Sequence, residues 1–250
     1  MLKIKNNADN TAEIYISGDI IDDADGEFLS NVWGVEQGFE WPTKIRQQLD
    51  ELKGKDLTIY INSDGGVVNA GVAMANMISR HDGHTKAVVD GWCCSIATQI
   101  FFAADEREMP ENAYLMIHKP SVVVGGNAFD LRKTAEILDT LQEGLESTYR
   151  KAAKEDVTPE KITKMVNDET WLTGKDAAEI FNIKVTGASD AVACAGKKYV
   201  NFSKAPKDLH FSARDKPPEN VDNVDKTVDN NIPDKEKTML ALALAKGVLA

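Results

Sequence analysis

The chain has 250 residues, 42% of them apolar, which is enough to bury a substantial core and excludes disorder throughout. Its formal net charge of -11 argues against a nucleic-acid-binding body or adhesion to an anionic membrane, because both need clustered Lys and Arg. Cys93, Cys94 and Cys194 form an odd set with two adjacent members, which suits neither a disulfide framework nor a zinc site, so a reducing, cytoplasmic location is expected.

The first residues, Met1-Leu2-Lys3-Ile4-Lys5-Asn6-Asn7, lack the apolar region of a signal peptide, and no apolar run is long enough to span a bilayer. Glu13-Ile14-Tyr15-Ile16-Ser17-Gly18 alternates like a strand, and 19–40 reads as an irregular acidic connection. Pro42 suits a helix N-terminus, Ile45, Leu49 and Leu52 follow at helical spacing, and Gly54 ends that element. Leu57 to Asn62 is a strong buried strand leading into the turn Asn62-Ser63-Asp64-Gly65-Gly66, after which 69–79 reads as a helix.

A second strand, Thr85 to Asp90, delivers the chain into Gly91-Trp92-Cys93-Cys94-Ser95, and 96–104 reads as a buried helix. A charged turn ends at Pro110, and the strand Ala113 to Ile117 runs directly into His118. Strand, turn and helix thus recur, with reactive side chains at strand ends, which is where sites lie in open α/β folds. One long helix is expected over 128–154, its stripe of Leu131, Ala135, Leu138, Leu141, Leu145 and Tyr149 requiring a partner surface. Pro159 starts a further helix through Val166, and another begins in Trp171 to Ala178 with Thr173 as its cap. Residues 1–203 form the expected globular body. The Pro-, Asp- and Asn-rich stretch 204–233 reads as a disordered linker, and 234–250 as a short C-terminal helix.

Acyl transfer by a serine needs an exposed hydroxyl, a base within hydrogen-bond reach, a group that orients the base, and amide donors for the oxyanion. Ser95 sits past a strand among small residues, and His118 ends another strand with Pro120 stiffening its exit. Asn167-Asp168-Glu169-Thr170 offers two adjacent carboxylates, and Gly65-Gly66 offers unobstructed amides. Each feature alone also suits packing, an everyday turn or a solvated helix end. Cys93 and Cys94 fit small buried side chains better than a redox pair. His81 and His84 lack the neighbours of a metal site, and no metal or other cofactor is expected.

Taken in order, these residues resemble the ClpP family of serine peptidases, and most closely the ClpP-like head maturation (prohead) proteases of tailed phages. Ile61-Asn62-Ser63-Asp64-Gly65-Gly66 followed by Ala70-Gly71 looks like the family's strand and glycine turn, with Asp64 where proline is usual. Gly91-Trp92-Cys93-Cys94-Ser95 resembles Gly-x-Ala-Ala-Ser, and Met116-Ile117-His118-Lys119-Pro120 resembles Met-Ile-His-x-Pro. Gly125-Gly126 followed by Ala128-Phe129-Asp130-Leu131 is similar to the start of the family's long handle helix. Glu169-Thr170-Trp171-Leu172-Thr173-Gly174-Lys175-Asp176-Ala177 is similar to Asp-x-Phe-x-Ser/Thr-Ala-x-Glu-Ala. The similarity runs from Ile14 to Asp190.

The resemblance implies an α/β fold of the ClpP/crotonase type, built from repeated strand-strand-helix units with a long handle helix. It implies Ser95 as nucleophile, His118 as general base, and Glu169 as the orienting carboxylate where the family has aspartate, with Asp168 as the alternative. Gly66 and Ile96 become the oxyanion amides, and Gly65, Pro120, Val122, Val123, Val124 and Gly125 the groove for an extended peptide. It also implies rings of identical subunits, with phage scaffold and major capsid proteins as substrates inside an assembling prohead in the host cytoplasm. Competing readings are an inactive ClpP-like capsid scaffold, a housekeeping peptidase paired with an unfoldase, and a crotonase-type acyl-CoA enzyme.

Overall fold

The computed structural model of the protein describes residues 5–6, 10–34 and 38–188, so the expected linker and C-terminal helix lie outside the described residues. The described chain is a mixed α/β fold around one curled, largely parallel sheet. Its strands are β1 (Lys5–Asn6), β2 (Thr11–Ile20), β3 (Phe39–Glu40), β4 (Asp56–Gly66), β5 (Thr85–Cys94), β6 (Glu106–Pro110), β7 (Tyr114–Ile117), β8 (Thr170–Thr173) and β9 (Lys184–Thr186). The order across the sheet is β1-β2-β4-β5-β6-β9, with β3 beside β2 and β7 bridging β5 to β8.

The helices are α1 (Asp23–Phe28), α2 (Pro42–Glu51), α3 (Val68–Ser79), α4 (Ala97–Phe102), α5 (Ala128–Ala152), α6 (Pro159–Asn167) and α7 (Gly174–Ile180). Alternate β2 and β4 residues (Ile14, Ile16, Leu57, Ile59, Ile61) are buried together with Ile45, Met74, Ile78, Ile100 and Phe101 of the helices. That period-two burial is what a half-buried strand requires. Only the C-terminal part of α5 joins this core, through Leu145, Tyr149 and Ala152, while Phe129, Leu131, Ile137 and Leu141 of its earlier turns are exposed.

Two features of the sheet position the site. β5 changes neighbour along its length, since Lys86 to Val88 pair with β6 whereas Trp92 to Cys94 pair with β7. β4 changes too. Its ladder with β5 ends at Ser63↔Cys93, but its ladder with β2 continues to Ile20↔Gly66. The upper part of the sheet therefore opens between β4 and β5, where Gly65, Gly66 and Ser95 lie.

Four segments differ from their sequence reading. Residues 62–66 form a glycine turn built into the end of β4 and not a loop after it, because Asp19 and Ile20 of β2 still pair with Gly65 and Gly66 past a register shift. Within 19–40, the Asp22 carboxylate accepts from the Asp25 N–H and caps α1, a π-helical turn follows over Leu29–Trp33, and β3 pairs with β2. The charged stretch before Pro110 is β6, whose Glu108 pairs with Lys86 and Lys184 of flanking strands. Trp171 and Leu172 belong to β8. The helix starts only at Gly174, capped by Thr173 in a reciprocal capping box with Asp176.

Candidate active site

Ser95 follows β5 directly and adopts φ 55, a left-handed conformation that few non-glycine residues hold. The bend is fixed from three directions. The Ser95 N–H donates to the Met116 carbonyl at 2.9 Å, prolonging the β5–β7 ladder by one step. The Ser95 carbonyl accepts from Thr98 Oγ1 at 2.6 Å, and that hydroxyl lies 2.7 Å from Tyr149 Oη in the buried end of α5. Cys93 and Cys94 behind it are fully buried, and burial pushes both thiols well above their ordinary range, so they stay protonated packing groups.

His118 follows β7 in the same manner, and its Nε2 lies 2.7 Å from Ser95 Oγ. With the imidazole neutral and its proton on Nδ1, the hydroxyl donates to Nε2 at hydrogen-bonding distance. Burial lowers the His118 pKa below its ordinary 6.5, and the charge of Glu169 opposes that shift.

The carboxylate follows from strand register. β7 and β8 are antiparallel, with Met116↔Trp171 and Ile117↔Thr170 paired, so the next step sets His118 opposite Glu169. Glu169 is held there by the end of α6: Asp168 is the C-cap, Glu169 takes φ 51, and Thr170 Oγ1 donates 2.7 Å to the Met165 carbonyl. A left-handed residue after a helix C-cap is usually glycine, and here a glutamate carries that strain. Asp168, one residue earlier, forms an ion pair with Lys164 on α6.

On the other side of Ser95 lies the glycine pair. Ser63 Oγ donates 2.6 Å to the Gly18 carbonyl and accepts from the Gly65 N–H at 3.1 Å, so the Gly65 amide is engaged within its own turn. The Val67 N–H donates to the Ile20 carbonyl at 2.8 Å. In a parallel ladder that pattern turns the intervening Gly66 N–H away from β2, toward the Ser95 side of β4. Gly65 permits the approach: a Cβ there would stand 2.7 Å from Ser95 Cβ and 3.2 Å from the Ile96 amide nitrogen.

Sequence-predicted residues thus divide into two groups. Ser95, His118, Glu169, Gly65, Gly66 and Ile96 come together at the mouth between β4, β5 and β7. Pro120 is half-buried, whereas Val122, Val123, Val124 and Gly125 lie exposed on the strandless segment leading from His118 to the Asn127 cap of α5. Sequence reasoning missed three supporting side chains. Ser63 holds the glycine turn, Asn62 Oδ1 accepts from the Trp92 N–H at 3.0 Å where the β4–β5 register shifts, and Trp171 Nε1 donates to Glu169 Oε1. Ser63 and Asn62 lie inside the motif that pointed to the turn, but nothing in their spacing marked these roles.

The model of the Clp protease family matches residues 42–181, more than half of the chain and all of the site. The chain belongs to the Clp protease family. Among curated relatives, it is 28% identical over 126 residues to the ATP-dependent Clp protease proteolytic subunit 3 of Streptomyces coelicolor. That match covers 50% of this chain and 57% of the relative. It is also 28% identical over 145 residues to the ATP-dependent Clp protease proteolytic subunit 3 of Rhizobium etli, covering 56% and 74%. The chain therefore spans a little over half the length of the first of these relatives. A solved ClpP1 mutant from Listeria monocytogenes superposes with a TM-score of 0.56 at 24% identity, covering 72% of this chain and 93% of that one. The fold is ClpP-like. Among the described residues no helix is long and apolar enough to cross a membrane, and no group of three or more His, Cys, Asp or Glu is arranged to hold a metal ion.

Proposed function

We propose that the protein is a serine endopeptidase that cleaves extended polypeptide through an acyl-enzyme on Ser95. The observation that carries this reading is the 2.7 Å contact between Ser95 Oγ and His118 Nε2 at a strained left-handed serine. Ser95 Oγ attacks the scissile carbonyl carbon while its proton passes to His118 Nε2, and Glu169 stabilises the resulting imidazolium. The Gly66 and Ile96 amides take the negative charge that develops on the carbonyl oxygen. Collapse expels the amine, which leaves with the proton from His118, and a water deprotonated by His118 then hydrolyses the ester. The open edge of β4 beyond Ser63 and the segment 120–126 receive the peptide by strand addition, with Gly65, Pro120, Val122, Val123, Val124 and Gly125 along it. The exposed apolar residues of α5 favour assembly with further copies of the chain.

Within that class the reading is of phage head maturation, with scaffold and coat-protein segments as substrates. Its support is the motif pattern, with Asp64 in the glycine turn, Glu-Thr-Trp at the carboxylate, and the long polar stretch after residue 203. The relatives' descriptions as ATP-dependent proteolytic subunits favour a second reading, a housekeeping peptidase fed by an unfoldase. Incubating the purified protein with unfolded casein, a folded substrate and a phage coat-scaffold preparation, first without nucleotide and then with an unfoldase and ATP, separates the two. Discrete cuts in the head proteins support the first reading. Cleavage of folded substrates only with an added unfoldase and ATP supports the second, and no peptide-bond cleavage under either condition removes both.

A further inference from the structure

Two of the positions at which this chain departs from the family motif lie two residues apart. Where the pattern has Asp-x-Phe, the chain has Glu169-Thr170-Trp171. The structure connects the two departures. Trp171 Nε1 donates to Glu169 Oε1 at 3.4 Å, and Glu169 immediately precedes β8 just as His118 immediately follows β7, so the antiparallel β7–β8 register brings the two together. The Trp171 ring is itself fixed, since it packs edge-on to Trp92 with centroids 5.1 Å apart and planes at 79°. Trp92 is buried in β5 three residues before Ser95, and its ring also contacts Tyr114 of β7.

We propose that Trp171 is a positioning residue for Glu169: its indole N–H holds the longer carboxylate side chain in the orientation that serves His118. A glutamate has one more rotatable bond than an aspartate, so from the same backbone position it samples more orientations. The left-handed backbone at Glu169 sets where the side chain starts, and the hydrogen bond from a ring that cannot swing without leaving Trp92 limits where it ends. A phenylalanine at this position keeps the ring contact but has no donor.

This proposal rests on Glu169 acting on His118, so the test separates the two ideas. In the full-length protein, the rate of Ser95 labelling by a fluorophosphonate and the His118 imidazole titration, followed by NMR, are measured for Trp171→Phe, Glu169→Ala and the double variant. Trp171→Phe is expected to slow labelling about 3- to 10-fold, lower the His118 pKa, and have less than a twofold effect once Glu169 is alanine. An equal effect of Trp171→Phe in both backgrounds, or none in the first, overturns the role of Trp171. Glu169→Ala leaving both labelling and His118 unchanged instead removes the underlying assignment of Glu169. Should Trp171→Phe fail to fold, the Trp171 indole N–H resonance supplies the answer: it shifts in Glu169→Ala if the bond exists, and an unmoved resonance overturns the proposal.

Discussion

Gly65→Ala tests how closely the glycine turn and the serine are fitted. A Cβ at this position stands 2.7 Å from Ser95 Cβ and 2.8 Å from the Cys94 carbonyl oxygen. Relief to an ordinary 3.4 Å contact requires movement of about 0.7 Å, and the atoms in the way belong to the strand end that carries Ser95. Gly65 also has φ 99, so alanine adds backbone strain on the order of 1–2 kcal/mol. Since a displacement of about 1 Å costs roughly 100-fold in rate, a shift of this size predicts a loss on the order of 30-fold. The assay is the second-order rate of fluorophosphonate labelling, with thermal melting to follow folding. Gly54→Ala is the control, because Gly54 has φ 74 with nothing within 4 Å of its would-be Cβ, so it carries the backbone penalty alone. Gly54→Ala should melt about as low as strain dictates yet label normally. Labelling of Gly65→Ala at the Gly54→Ala rate would refute the reasoning.

Because burial depresses the His118 pKa, the imidazole remains a neutral base to below pH 6.5, and activity should fall only as pH drops through the folded value. The Glu169 charge raises that value, so Glu169→Gln should move the acid limb of the pH-rate profile further down; an upward shift contradicts the assigned sign. Asp168→Ala, which breaks the Lys164 pair on α6, should leave labelling within about twofold while Glu169→Ala reduces it at least tenfold, and the reverse order would reassign the carboxylate. Glu40 is buried beside Lys44, and burial pushes its carboxyl up to about 7 against the pull of that ammonium. A raised value means its protonated form contributes stability that is fully present below about 4.5 and lost as pH rises through 7. Melting temperatures of wild type and Glu40→Gln should therefore diverge between pH 5 and 8, with the wild type losing on the order of 2–3 kcal/mol relative to the variant; parallel profiles would show that Glu40 does not titrate there.

What the sequence reveals depends on whether burial or charge dominates a segment. The strands around Ile14, Ile59 and Val89 alternate cleanly because one face of each is buried, and the long α5 is legible from its periodic leucines even though only its last turns reach the core. β6 is hidden because its charged residues find their partners across the fold, Glu108 with Lys86 and Lys184, Glu106 with His84, and Arg107 with the carbonyls of Asn182, Phe102 and Ala104, information that no local window contains. Ser95 and His118 are legible because each terminates an apolar run. The choice between Asp168 and Glu169 is not, since it turns on the pairing of β7 with β8, in which Ile117 lies opposite Thr170 and the next step brings Glu169 toward His118. Trp171 was hidden for the same reason. Its neighbour in space is set by β8, a four-residue strand too short to announce itself.

Activation of Ser95 as a nucleophile by His118 is the step on which the proposed peptidase chemistry most directly depends. Fluorophosphonate treatment of the full-length protein, followed by mass spectrometry of its peptides, measures this without knowledge of the natural substrate. One stoichiometric adduct is expected on Ser95, absent from Ser95→Ala and strongly slowed in His118→Ala. An unlabelled wild type, or an adduct that survives in Ser95→Ala, would contradict it.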